Sequence, residues 1–345
     1  MPARTRTRHR LVGAIVCAGL GMVVTACGTG GGALGGGGGG GVPATAAPAT
    51  TTTPIEARPL GVAPAPWSLA APIQREALVT DGTVIYLAGG LDPNGVSSTA
   101  VLRIDPATGK TTSAGTLAIA VHDTMGVWRN GAIVMPGGGT PPIRTDVQSV
   151  VPSGAAKVVG QLPGDRADLV AVLLGDTIYL LGGTDNSSRL IGSILSSTDG
   201  GATWQTVANL AQAVRYPAVG VWDGAIYLVG GVATTGGQDT TAIQRFDPKT
   251  NQTTVVGNLT RTLSHPTSVQ FGPLVFLAGG FVDNKRTQQI QRLDLRTLAV
   301  TDTDQVLPAP LSDAAAVVLG NTGYLVGGEG SDGKATTGVT LLRLG

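Results

Sequence analysis

The sequence predicts an all-β chain of six similar four-stranded units closed into a ring, a six-bladed β-propeller. Three observations carry this. An apolar, β-rich run ending in Gly-Gly recurs six times: IYLAGG (85–90), IVMPGG (133–138), IYLLGG (178–183), IYLVGG (226–231), VFLAGG (275–280) and GYLVGG (323–328). The first glycine of each pair falls at 89, 137, 182, 230, 279 and 327, a period of 45 to 49 residues, which suits four short strands per unit. No segment sustains a helical period.

Composition narrows the function. Of 345 residues, 53 are Gly and only 13% are charged; ordinary domains have about 7% Gly and about 25% charged residues. A coiled coil, a highly charged disordered chain and a basic nucleic-acid binder are excluded. The net charge is +1, but four of the 23 basic residues, Arg4, Arg6, Arg8 and Arg10, crowd the first ten positions. The remainder is slightly acidic.

That basic start precedes an uncharged run, Leu11 to Ala26. Sixteen residues suit the hydrophobic region of a leader better than a membrane span of roughly 20. The run ends Val24-Thr25-Ala26-Cys27, which resembles a bacterial lipobox. The resemblance implies that 1–26 is a lipoprotein signal peptide, that Cys27 carries lipid, and that the chain is anchored in the bacterial cell envelope on the extracytoplasmic side. Two or more acyl chains would make that anchoring stable. Cys17 would leave with the leader, so no internal disulfide is possible. Residues 27–56 read as a linker. They hold the unbroken Gly35–Gly41 and a Pro/Ala/Thr stretch ending at Pro54, and neither part can bury apolar surface. The flexible-coil estimate gives this linker a reach of roughly 30 Å.

Residues 57–345 hold the propeller. Unit six stops after a third strand, Val339–Leu344, and Pro66–Leu69 reads as a spare fourth strand. An N-terminal strand is therefore expected to complete the last blade, which removes two open sheet edges. In unit three, strands are expected at 169–174, 177–181, 190–196 and 203–208. Three residues before each first glycine stand Tyr86, Val134, Tyr179, Tyr227, Phe276 and Tyr324. Five of the six are aromatic, which marks a packing position.

The period, the Gly-Gly strand ends and turns such as Asp105–Gly109 and Asp247–Asn251 resemble kelch repeats over residues 60–345. The fourth-strand Trp of those repeats survives as Trp67 and Trp204. The resemblance implies a kelch-type propeller. Galactose oxidase shares such blades but needs a Cys–Tyr crosslink beside copper, and no Cys remains once Cys27 is lipidated. Bacterial sialic-acid epimerases are also six-bladed kelch proteins, so isomerisation is open by fold analogy.

Ser197-Thr198-Asp199-Gly200-Gly201-Ala202-Thr203-Trp204 matches the Asp-box pattern S-x-D-x-G-x-x-W. Ser197, Asp199, Gly201 and Trp204 are read as structural. Asp199 is expected to accept buried turn amides, Gly201 to take an unusual φ, and Trp204 to pack inward. Asp-boxes occur in sialidases, but away from the active site, and no equivalent of the sialidase arginine triad is found.

Aligning the units on Gly-Gly brings Arg75, Asp123, Asp168, Tyr216, His265 and Asp313 into register, fourteen residues before the first glycine. One residue earlier stand Gln74, His122, Ala167, Arg215, Ser264 and Ser312, with Arg166 just outside the register. These residues predict a polar ring at one mouth of the channel. One reading is a pocket for a sugar or anionic ligand. The other is a set of solvated, mutually paired charges, with Arg75 between Asp313 and Asp123. Asp123 and Asp168 lie on adjacent blades and could meet the roughly 5–9.5 Å spacing of glycoside hydrolysis. His122 and His265 fall on non-neighbouring blades, so no metal is expected, and no cofactor. The leading expectation is a binding module for a glycan or protein partner, with no nucleic-acid role. The second is a carbohydrate-active enzyme at the mouth.

Overall fold

The computed structural model describes residues 55, 58–139 and 141–345. The expected leader, Cys27 and nearly all of the expected linker lie outside the described residues. Blades one to five each hold four antiparallel strands. Blade four shows the order: Ala218–Trp222, Ala225–Val229, Ala242–Asp247 and Gln252–Asn258. The first strands neighbour one another around the axis and line the channel. Second strands are the most buried, and Ala225–Val229 is buried throughout. Apolar clusters fill the spaces within and between blades.

Blade six takes its fourth strand from the N-terminal side: Leu60–Pro64 pairs antiparallel with Val339–Leu344, Leu60 opposite Leu344. The strand lies upstream of the expected 66–69: regular pairing ends at Pro64 opposite Thr340, and beyond it only the Ala65 and Leu69 amides bond the same segment, at Val339 and Thr337. Trp67 instead stacks on Tyr324 and donates its indole N–H to the Pro106 carbonyl. In blade three the third strand begins at Ser193 rather than Leu190, which makes one isolated bridge with Thr184. The fourth runs Gln205–Asn209. A short strand, Gly154–Ala155, adds in parallel to the outer edge of blade one.

The Gly-Gly signature has a common cause in all six units. The first glycine has φ between +63° and +68°. A Cβ there would run into the carbonyl of Val121, Arg166, Val214, Leu263, Leu311 or Ile73, in the connection to the next blade. The second glycine donates its N–H to that same carbonyl at 2.7–2.9 Å. Each pair thus locks one blade to the next through backbone alone, which only glycine permits. The aromatic position also works between blades: Tyr86 stacks on Trp128 of blade two, and Tyr179 meets Phe246 of blade four edge-on.

Candidate functional site

The locked carbonyls lie two residues before Arg75, Asp123, Asp168, Tyr216, His265 and Asp313. All six have φ between +51° and +58°, a left-handed conformation that is uncommon outside glycine. Each donates its N–H to the carbonyl of the ring residue on the preceding blade, at 2.8–3.4 Å, and Arg75 closes the circle onto Asp313. The cyclic hydrogen bonding offsets the strain, and every one of the six residues lines a cavity of about 150 Å³ on the channel axis.

The side chains are paired across blades. Arg75 Nη1 donates to Asp123 Oδ2 at 3.1 Å and to the Tyr216 hydroxyl at 3.3 Å, while its Nε lies 3.6 Å from Asp313 Oδ1. Because Tyr216 sits on the opposite blade, the guanidinium lies over the axis. Arg215 pairs with Asp168 at 3.1 Å. His265 Nδ1 lies 2.7 Å from Asp313 Oδ1, and its ring stacks on Tyr216 at 3.8 Å. Ser312 donates to Asp313 at 2.6 Å. The charges are therefore mutually paired but not solvated: Asp123, Asp168 and Asp313 side chains are only 4%, 5% and 2% exposed. The exposed groups are Arg215, at 34%, and more weakly Arg75 and His265.

Three expected members do not line the cavity. Arg215 lies outside its lining, half-exposed and held by Asp168. His122 lies behind Asp123, its Nδ1 bonded with Ser97 Oγ at 2.8 Å. Arg166 is buried under blade three, where its guanidinium donates to the carbonyl and hydroxyl of Ser193.

Burial sets the electrostatics. It pushes Asp168 up to about 6, helped by the nearby charge of Asp123, and it raises Asp123. It would raise Asp313 too, but the hydrogen bond and charge of His265 and the charge of Arg75 hold Asp313 at about 2. Burial lowers His122 and brings Arg166 down to about 10.

Glu76, which sequence reasoning passed over, also lines the cavity. Burial, with the charge of Asp313, pushes its carboxyl up to about 8 against the pull of the Glu76 and Ala315 amides. A signal was present: directly after the ring residue the units carry Glu76, Thr124, Leu169, Pro217, Pro266 and Ala314, and only one is ionisable. Asp239 also escaped notice; burial raises it beside Ser264 and His265. Among the described residues no cluster of three or more His, Cys, Asp or Glu could hold a metal ion.

The Ser197–Trp204 turn lies elsewhere, between the outer strands of blade three. Asp199 Oδ1 accepts the Ala202 and Thr203 amides and the Ser197 hydroxyl, at 2.8–3.0 Å. Those amides are exposed, contrary to expectation. The buried amide of the turn, Gly201, donates to Ser197 Oγ at 2.8 Å. Gly201 has φ +95°, and Trp204 packs against the cluster shared by blades two and three.

These features define a six-bladed kelch-type β-propeller whose last blade is closed by an N-terminal strand. Comparisons with known proteins agree. Residues 213–259, most of blade four, match the Kelch motif. The mouse Kelch-like protein 35 is 36% identical over 98 residues, which is 28% of this chain and 16% of that relative. A solved structure titled "Structure of YjhT" superposes with a TM-score of 0.69 at 14% identity, over 80% of this chain and 99% of that one. At that identity the likeness speaks for the fold alone.

Proposed function

We propose that this protein is a membrane-tethered, extracytoplasmic binding module that engages a protein or glycan partner at the polar end of its channel. The observation that carries the reading is the ring. In a chain with 13% charged residues, Arg75, Asp123, Asp168, Arg215, His265 and Asp313 meet at one end. Each buried aspartate of the ring is committed to a basic partner, which suits a rigid recognition platform. Arg215 and His265 are the groups offered to a ligand. Kelch-type propellers commonly serve as protein-interaction modules, which favours a protein ligand. The tether is read from Val24–Cys27 and the linker that follows.

The test is a glycan panel, together with a cross-linking search for protein partners. Replacing Arg215→Ala should weaken the captured ligand about ten- to hundredfold, the worth of one charge-assisted hydrogen bond. Unchanged affinity for every ligand found would move the site off this mouth. Replacing Cys27→Ala should release the protein from the membrane fraction; detergent-dependent retention of the processed variant would refute the lipid anchor.

A carbohydrate-active enzyme is the second reading. What favours it is the adjacent pair Asp123 and Asp168, both raised by burial, since buried carboxyls of raised pKa recur at catalytic sites. Turnover of a sugar that Asp168→Asn abolishes without loss of folding would establish it.

A further inference from the structure

The two ends of the channel differ in chemistry. Opposite the charged ring, hairpins joining first and second strands surround a second opening of about 540 Å³. Met125, Val219, Val221, Trp222, Val317 and Val318 line it. Its polar lining groups are already used: Gln270 clamps the backbone N–H and C=O of Val221, and Ser268 Oγ accepts the Val219 amide. The first strand of blade six, Ala315–Leu319, is half-exposed along its whole length, and Met125 is 37% exposed. The side chains this opening offers to a partner are therefore apolar.

The chain joins the propeller at this same end. Ile55 packs beside Gly272, which belongs to the rim of the apolar opening. Ahead of Ile55 stand 54 residues, including the uncharged run and Cys27.

We propose that the apolar opening is the membrane-facing surface of the propeller, resting on the bilayer that holds the tether, so that the charged ring points away from it. The proposal rests on the lipid anchor proposed above. Trp222 has the amphipathic ring that favours the membrane–water interface. A tether of fewer than 30 residues would supply an effective concentration in the millimolar range, so a weak intrinsic affinity of this surface is enough. The orientation also leaves Arg215 and His265 free for a partner.

The experiment places the mature, lipidated chain on vesicles of phosphatidylcholine and phosphatidylglycerol, with and without brominated acyl chains, and reads tryptophan emission. Bromine should quench part of the emission, and Trp222→Phe should remove that part. A second variant, Val318→Ser, should reduce the quenching while leaving Trp222 in place, and circular dichroism checks its fold. A chain that floats with the vesicles but is quenched equally with and without Trp222 would overturn the proposal while leaving the anchor intact. The opening would then be free for an apolar ligand or partner. A chain that does not float with vesicles would refute the anchor, and this orientation with it.

Discussion

Arg75 and Glu76 are neighbours in sequence and meet burial in opposite ways. Arg75 keeps its charge because Asp123, Tyr216 and Asp313 surround it. Replacing Arg75→Met strands the buried Asp123 carboxylate, while Asp313 keeps His265 and Ser312, and breaking such a pair costs about 3–5 kcal/mol. Thermal melting should show this loss, whereas Arg215→Ala, removing a half-exposed partner, should cost about 0.2–1 kcal/mol. Equal losses would contradict the burial difference. Glu76 has no cation beside it and holds its proton up to about 8. The folded state therefore binds a proton that the unfolded chain has lost above about 4.5. Stability from this group is full below that pH and falls as pH rises to about 8. Asp168, raised to about 6, acts in the same direction over a lower window, while Asp313, depressed to about 2, loses its contribution only in acid below the ordinary carboxylate range. Glu76→Gln should raise stability at pH 8 by about 1–3 kcal/mol and change it little at pH 4.5. An unchanged fall in melting temperature between those values would rule out Glu76 as its source.

At the scale of the element, buried side chains hold the connections between blades. Gln244, in the third strand of blade four, accepts the Gln212 amide and donates to the Gln212 carbonyl, at 2.8 and 2.9 Å. Gln148 treats Ile119 in the same way. Gln244→Leu should cost about 1–3 kcal/mol by leaving the Gln212 groups unpaired. Urea unfolding would measure it, and a neutral result would mean that water replaces the clamp. The Ser197–Trp204 turn works similarly between blades two and three, where Arg129 donates to the Thr198 carbonyl at 2.8 Å. Ser197→Ala should be the more damaging change there, because it orphans the buried Gly201 amide, whereas the amides that Asp199 accepts are open to water. A larger loss from Asp199→Ala would reverse that ranking.

At the scale of the molecule, closure depends on Leu60–Pro64. Its half-buried Leu60 and Val62 pack on the cluster of blades five and six. Deleting residues 58–64 should bare the long edge of Val339–Leu344, lower the melting temperature sharply and promote aggregation. Calorimetry with light scattering would report it; unchanged melting would show that the ring closes without this strand. The same closure gives the channel two chemically distinct mouths, one lined by self-paired charges, the other by apolar side chains.

The sequence by itself determined the blade count and the ring register. Gly89 and its five counterparts can be nothing but glycine, and each sits a near-constant distance from a ring residue, so local constraints print a repeat that is read without coordinates. The third strand of blade six was legible to the residue for the same reason. The closing strand was expected at Pro66–Leu69 rather than Leu60–Pro64, because a fourth strand carries no Gly-Gly mark and only its pairing with Val339–Leu344 locates it. Tertiary structure alone decided how far the ring is buried, because burial depends on neighbouring loops that no period records. Local spacing brought Arg75 near Asp123 and Asp313, but only the closed circle set its guanidinium over the axis, left Glu76 without a cation, and turned His122 and Arg166 away from the channel. Nor could the sequence show that Ile55 meets Gly272 at the apolar end: that contact joins positions more than 200 residues apart, and only folding makes them neighbours.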